Sequence, residues 1–305
     1  MDEMVSLRDN KKIWVRHLRK SPGAKTLLYL HGGPGASSSD FLYAASKLAD
    51  WYNVIVFDQR GILQSDKITK DESVTVATIV DDIENLRQIK GLDKICLLGH
   101  SYGGFLALQY TLKYPAHVAA VIYENPGWNI IDTFKTIHRN TIPYIREGGD
   151  NSLADEIETV LATSDDLNEL AELQLKTPEK YRAKAYYNKG WSDDQIAFSK
   201  LPEQASLFES ADMSKVEASA ELVRQKILAD EVNYQDNLLK LKDIQAPSLL
   251  IRGDHDPVMS REYQQYFLDN APKGRLSVIN DCGHTVHIDN TPEFCAAIHD
   301  FLEKV

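Results

Sequence analysis

The sequence predicts an α/β fold: a doubly wound, mostly parallel sheet with a helical block inserted after the sixth strand. Short apolar runs alternate with helix-period segments as far as residue 126, and the alternation resumes near residue 240. Such alternation implies a parallel sheet covered on both faces. Between these parts, about 110 residues from 128 to 237 read as helical, charged and tyrosine-rich, with no convincing strand. The unusual loops all follow strands, and in open α/β sheets ligands bind beyond the carboxyl ends of the strands. The expected division is therefore a core of 1–126 and 240–305, and a cap over the site at 127–239.

In chain order, 5–7 and 13–18 alternate apolar with polar residues around Asp9-Asn10-Lys11-Lys12, an edge hairpin. The apolar run 26–30 leads into His31-Gly32-Gly33-Pro34-Gly35. A helix pattern follows (Phe41, Ala45, Leu48, Trp51), then the strand 54–57, ending at Asp58-Gln59-Arg60-Gly61. Residues 76–89 place Val76, Ile79, Val80, Ile83, Leu86 and Ile89 at helical spacing. The strand 95–98 and its helix come next, and the strand 118–123 runs into Glu124-Asn125-Pro126-Gly127. After the helical block come the strand 247–251, a helix around 263–268, the strand 276–279 and an amphipathic helix over 292–302. Thr291 is the expected N-cap of that last helix, with Pro292 at its first position.

Composition narrows the function. The 305 residues are 43% hydrophobic and 26% charged, as in a globular protein, and the formal net charge of -11 disfavours a nucleic-acid partner. Cys96, Cys282 and Cys295 have no C-x-x-C spacing, so neither a disulfide framework nor a zinc site is expected. The start, Met1-Asp2-Glu3-Met4, lacks the basic and apolar regions of a signal peptide, and no apolar run approaches the length of a membrane span. A cytoplasmic protein without a membrane partner is expected.

The chemistry centres on Gly99-His100-Ser101-Tyr102-Gly103, a G-x-S-x-G bracketed by a strand and a helix. Such a turn lifts a serine clear of the sheet and needs small residues on either side of it, which Gly99, Gly103 and Gly104 supply. A serine hydroxyl needs a base to take its proton, and the base needs an orienting acid. Candidates follow the last two strands: Asp254 and Asp256 in Gly253-Asp254-His255-Asp256-Pro257, and His284 and His287 after Gly283. Reading the first loop as G-x-x-D favours Asp256, with Asp254 as a solvated turn residue. Immediate succession to Gly283 favours His284, leaving His287 to line the pocket. A metal reading of His284 and His287 lacks a completing cysteine or carboxylate cluster, so neither metal nor cofactor is expected. His100 and His255 read as packing or surface residues. Oxyanion donors would be the backbone N–H groups of Tyr102 and of Gly33 in the first glycine-rich loop, a loop lacking the lysine and hydroxyl of a P-loop.

Taken together, His31-Gly32-Gly33-Pro34-Gly35, Asp58-Gln59-Arg60-Gly61 and Gly99-His100-Ser101-Tyr102-Gly103-Gly104 resemble the α/β-hydrolase superfamily in its proline-iminopeptidase-like branch. The resemblance covers 1–126 and 240–305. It implies a triad of Ser101, Asp256 and His284, an oxyanion hole at Gly33 and Tyr102, and structural roles for Asp58 and Arg60, read as a charged pair buried by its own hydrogen bonds. It further implies a small-molecule or short-peptide substrate cleaved through an acyl-enzyme.

Proline iminopeptidases hold a substrate's free amine with cap glutamates, often within a tryptophan-rich motif. The nearest stretch here, Ala183-Lys184-Ala185-Tyr186-Tyr187-Asn188-Lys189-Gly190-Trp191, has no glutamate. Glu124 stands where those peptidases tend to carry an arginine, and it could bind an amine or pair with a cap residue. Residues 147–172 hold nine acidic residues and no lysine or arginine, which reads as a solvated helical face more readily than as an amine attractor. The expected activity is that of an iminopeptidase-like aminopeptidase, with a carboxylesterase or lactonase that needs no free amine as the alternative, nearly level with it. A dehalogenase or epoxide hydrolase is disfavoured by a serine, rather than an aspartate, at position 101. A non-catalytic receptor on the same fold would be free to lack triad members, and none is missing.

Overall fold

The computed structural model of the chain describes every residue except Met1, Lys20, Asn188 and Ser210. Two of these, Met1 of the amino-terminal reading and Asn188 of the stretch without a glutamate, therefore lie outside the described residues. The expected hairpin is β1 (Asp2–Ser6) and β2 (Lys12–Leu18), antiparallel and at the sheet's edge. The remaining strands are β3 (Thr26–Leu30), β4 (Asn53–Phe57), β5 (Ile95–His100), β6 (Val118–Glu124), β7 (Ser248–Gly253) and β8 (Gly274–Ile279). They form one eight-stranded sheet in the order β1-β2-β4-β3-β5-β6-β7-β8. Pairing is parallel from β4 to β8, and β2 joins β4 antiparallel.

The near-continuous apolar text of the central strands follows from burial on both faces. Every residue of β3, β5 and β7 is buried. Successive side chains go to opposite faces. Leu28, Leu30 and Leu97 enter one core with α2 (Val76–Ile89) and α3 (Tyr102–Lys113), whereas Leu27, Tyr29 and Leu98 enter a second with α1 (Leu42–Leu48) and a carboxyl-terminal helix (Thr291–Leu302). The chain leaves β3 toward β4 and later returns to place β5 on the other side of β3. The carboxyl ends of β3 and β5 thus form the topological switch point, where a crevice opens.

Between β6 and β7 the described residues contain helices only: α4 (Ile130–Glu147), α5 (Asn151–Thr163), α6 (Leu167–Lys176), α7 (Glu179–Ala185), α8 (Asp193–Ser199), α9 (Pro202–Glu209) and α10 (Met213–Leu228), with short 3-10 turns. After β7 come α11 (Arg261–Asn270), the short α12 (Val286–Asp289) and α13 (Thr291–Leu302). Two sequence expectations shift. The first helix ends at Leu48 rather than reaching Trp51, which is exposed and stacks on His299. The N-cap of α13 is Asn290, not Thr291: the Asn290 side chain accepts from the Glu293 N–H, while the Thr291 hydroxyl turns back to the His287 carbonyl.

Close packing at the elbow fixes its glycines. A Cβ on Gly103 would sit 2.0 Å from the Leu30 carbonyl oxygen, and one on Gly99 would sit 2.3 Å from the Gly103 oxygen. Both obstacles are backbone and cannot rotate away. Gly103→Ala is therefore expected to destabilise the fold by about 3 kcal/mol, read as a lower urea midpoint at unchanged slope.

Candidate active site

At the end of β5 the chain turns into α3 through Ser101, whose φ of 54° and ψ of -121° are a strained conformation for a residue with a side chain. Backbone bonds hold the strain. Ser101 N–H donates to the Glu124 carbonyl (2.9 Å), and the Ser101 carbonyl accepts from Gly104 N–H (2.9 Å) and Gly127 N–H (3.1 Å). The serine stands at the amino end of α3, where the helix dipole favours developing negative charge.

Asp256 and His284 arrive on the loops after β7 and β8. Asp256 Oδ1 lies 2.7 Å from His284 Nδ1, and Oδ2 accepts the Met259 N–H at 2.6 Å. This bond leaves the opposite ring edge, Nε2, turned away from Asp256. Asp254 is used differently: its carboxylate accepts the Cys282 N–H at 3.0 Å, tying the two loops together. His284 is further positioned by its N–H, which donates to the Tyr186 carbonyl at 3.3 Å, and by the Tyr186 ring packed edge-on at 5.3 Å. His255 stacks on Tyr187 at the surface.

A residue that the sequence did not single out joins these parts. Asn125, fully buried with φ 40°, donates through Nδ2 to the carbonyls of Gly283 (3.1 Å) and His284 (2.8 Å). Its Oδ1 accepts the Gly253 N–H at 3.2 Å. One amide thereby pins the base loop and the acid strand to the end of β6. The available signal was an asparagine directly after a strand, a residue type that tolerates left-handed backbone.

Gly33, with φ 119°, and Tyr102 line a cavity of about 70 Å³ with Ser101. Its other walls are Ile130, Thr133, Phe134 and Ile137 of α4, together with Gln174, Tyr186 and Val258. Burial pushes the Tyr186 hydroxyl upward, so it is neutral, and it accepts from Gln174 Nε2 at 3.2 Å. No carboxylate lines this cavity among the described residues. Behind the glycine loop, His31 Nε2 accepts the Gln59 N–H at 3.0 Å, and burial holds its ring below the usual histidine range. The expected Asp58–Arg60 pairing does not form. Asp58 accepts from Ser38 N–H and hydroxyl and from Gln64 N–H, whereas Arg60 forks onto Asp82 and reaches Asp9.

Glu124 and His287 lie elsewhere than expected. Both are fully buried beneath the elbow, and neither lines the cavity. The Glu124 carboxylate accepts from the His287 backbone N–H at 2.8 Å and stands 2.9 Å from its Nδ1, so its partner is in the core rather than in the helical block. Burial opposes both charges, but each outweighs it for the other: Glu124 is held well below the usual carboxylate range and His287 is raised. The ring of His100, also buried, lies between His284 and His287, with centroids 4.8 and 5.2 Å away, and its Nδ1 is 3.4 Å from Glu124. Donor atoms of His100, Glu124 and His287 fall within 4.8 Å of one another, the reach of a cation site, yet they are already joined as an ion pair. In the acidic run of 147–172, flanking cations partner several side chains: Arg146 with Asp155 and Glu158, Lys184 with Glu147, Lys176 with Glu156 and Lys135 with Asp165. That is a solvated, paired face.

The sheet order, the serine elbow and the loop-borne acid and base define a hydrolase class. A family model described as alpha/beta hydrolase fold matches residues 25–291, and the chain belongs to that family. Within it the sequence is proline-iminopeptidase-like. It is 26% identical over 296 residues to the proline iminopeptidase of Saccharolobus solfataricus, covering 96% of this chain and 89% of that one. The proline iminopeptidase of Heyndrickxia coagulans is likewise 26% identical, covering 93% and 92%. Among solved structures, the proline iminopeptidase of Mycobacterium smegmatis superposes with a TM-score of 0.73 at 20% identity over 100% of this chain and 98% of that one. Est816, described as an N-acyl homoserine lactone degrading enzyme, gives 0.65 at 21% identity over 98% and 100%. Among the described residues no helix is long and apolar enough to cross a membrane.

Proposed function

We propose that the protein is a serine hydrolase acting on small carboxylic esters or lactones through Ser101, His284 and Asp256. The observation carrying this reading is the 2.7 Å bond from His284 Nδ1 to a carboxylate already fixed by Met259, on the loops after β7 and β8. In the reaction Ser101 Oγ attacks the carbonyl carbon while His284 Nε2 takes its proton. The N–H groups of Tyr102 and Gly33 receive the oxyanion, His284 returns the proton to the departing alkoxide, and water repeats the sequence to release the acid. Residues 127–239 serve as the cap, since α4, Gln174 and Tyr186 wall the cavity over Ser101.

An ester or lactone is preferred to an aminopeptide because the cavity wall carries no carboxylate to hold a free amine, and Glu124 is sealed below it by His287. Similarity to proline iminopeptidases over nearly the whole chain favours the second reading, an aminopeptidase. Paired substrates separate them: p-nitrophenyl acetate is expected to turn over and proline p-nitroanilide is not, with activity in Ser101→Ala falling by at least about 10³-fold. Cleavage of the anilide but not of its N-acetyl form would reverse the preference. Ester inactivity together with no labelling of Ser101 by a fluorophosphonate would sink both readings.

A further inference from the structure

A second cavity of about 190 Å³ adjoins the one over Ser101 and shares with it Gly33, Pro34, Phe134 and Gln174. Its additional walls are the apolar Ala171, Leu175 and Leu228 and the two cationic side chains Arg182 and Arg224. Each arginine is tied to the catalytic parts. Arg182 is four residues before Tyr186, so the two share a helical face, and Tyr186 N–H donates to the Arg182 carbonyl at 2.8 Å. Arg224 lies against the glycine loop, its Cβ 3.7 Å from where a Cβ on Gly35 would stand.

Neither guanidinium is used up. Arg224 presents Nε and Nη2 to Glu221, and Arg182 presents Nη2 to Glu179. Both carboxylates are more exposed than their partners, 44% against 24% for Glu221 and Arg224, and 71% against 30% for Glu179 and Arg182. Water therefore screens the acids more than the arginines. Arg182 Nε is buried without a hydrogen-bond partner among the described residues, a donor with unmet demand in the cavity wall. An arginine fork is the geometry that receives a carboxylate.

We propose that this cavity is a carboxylate subsite, and that the substrate is an ester or lactone carrying a carboxylate a few bonds from the scissile carbonyl, held by Arg182 and Arg224. The assignment rests on the serine-hydrolase reading for its catalytic meaning. The same two arginines would repel the free ammonium of an aminopeptidase substrate.

The test compares kcat/KM for matched anionic and neutral esters: mono-p-nitrophenyl glutarate against p-nitrophenyl pentanoate, with the charge on the acyl side, and 4-acetoxybenzoate against 4-acetoxybenzamide, with it on the leaving side. In one pair the anion is expected to be preferred about 10-fold at low salt, less at about 0.5 M salt. The ratio should collapse toward one in R182Q/R224Q and rise in Glu221→Gln, where the Arg224 fork is released. A ratio near one in both pairs, or a preference that survives R182Q/R224Q, overturns the subsite while leaving the hydrolase reading intact. Glutarate itself is a probe independent of turnover. It should raise the Tm of the native protein and not that of R182Q/R224Q, and the lack of a differential shift also overturns the subsite. Failure of every ester to react counts against the hydrolase reading alone.

Discussion

Asp256→Asn is expected to lower kcat for ester hydrolysis by about 10³- to 10⁴-fold with KM little changed. The reason lies in the two different partners of the carboxylate. Its Oδ2 accepts the Met259 N–H and its Oδ1 accepts His284 Nδ1–H. An asparagine at this position must choose. The Met259 N–H can only donate, so the amide oxygen takes the Oδ2 place and the NH₂ group faces His284. The imidazole then turns Nδ1 into an acceptor and carries its proton on Nε2, where a base is needed. The site keeps its shape and loses its proton acceptor. Asp254→Asn provides the contrast, because its carboxylate accepts a backbone N–H from Cys282 and the amide oxygen can do the same. A steady-state comparison of the two variants on p-nitrophenyl acetate decides the matter. Equal losses in both would mean that the loop, and not the acid, was being measured.

Most of the candidate site was legible because each catalytic candidate lies within a few residues of the end of a strand that the apolar text reveals. The runs 26–30 and 95–98 are buried on both faces and so stand out, and the loops that follow them carry Gly33 and Ser101. What stayed illegible depends on partners far apart in the chain. Asn125 binds the His284 carbonyl across 159 residues, and Glu124 binds His287 across 163. Neither spacing leaves a periodic trace. Glu124 was legible as an acid at a strand end, but the sequence did not say that a histidine of the short α12 would cover it. Arg60 and Asp58 stand two apart in the text and were read as a pair, but their partners come from other segments, Ser38 and Gln64 for Asp58 and Asp82 and Asp9 for Arg60. Asn290 and Thr291 are both good capping types, and only the turn of the Thr291 hydroxyl toward His287 separates their roles.

Removing one side of the Glu124–His287 pair is expected to destabilise the fold by about 3–5 kcal/mol, because a buried charge is left without its partner. Glu124→Gln is the milder form, and its penalty should depend on pH in a direction fixed by the shifts. Glu124 is depressed, so its contribution is present above about pH 4.3 and is lost as pH falls through its folded value. His287 is raised, so its contribution is full below about pH 6.5 and is lost as pH rises through its folded value. The pair is thus worth most near pH 5.5. The other groups facing it shape the slope without reversing it: burial holds His100 below the usual histidine range, and Asp40, whose Oδ2 is 3.9 Å from His287 Nε2, reinforces the imidazolium, as does Asp289. Urea unfolding at about pH 5.5 and about pH 8.5 should show the gap between native protein and Glu124→Gln narrowing at the higher pH. A gap that widens would place the proton elsewhere than on His287. The pair also bears on the candidate site, since the Glu124 carbonyl accepts the Ser101 N–H and His287, in α12, follows His284 by three residues. Loosening it moves the nucleophile and the base relative to one another, so the variant should lose kcat at pH values where it is still fully folded.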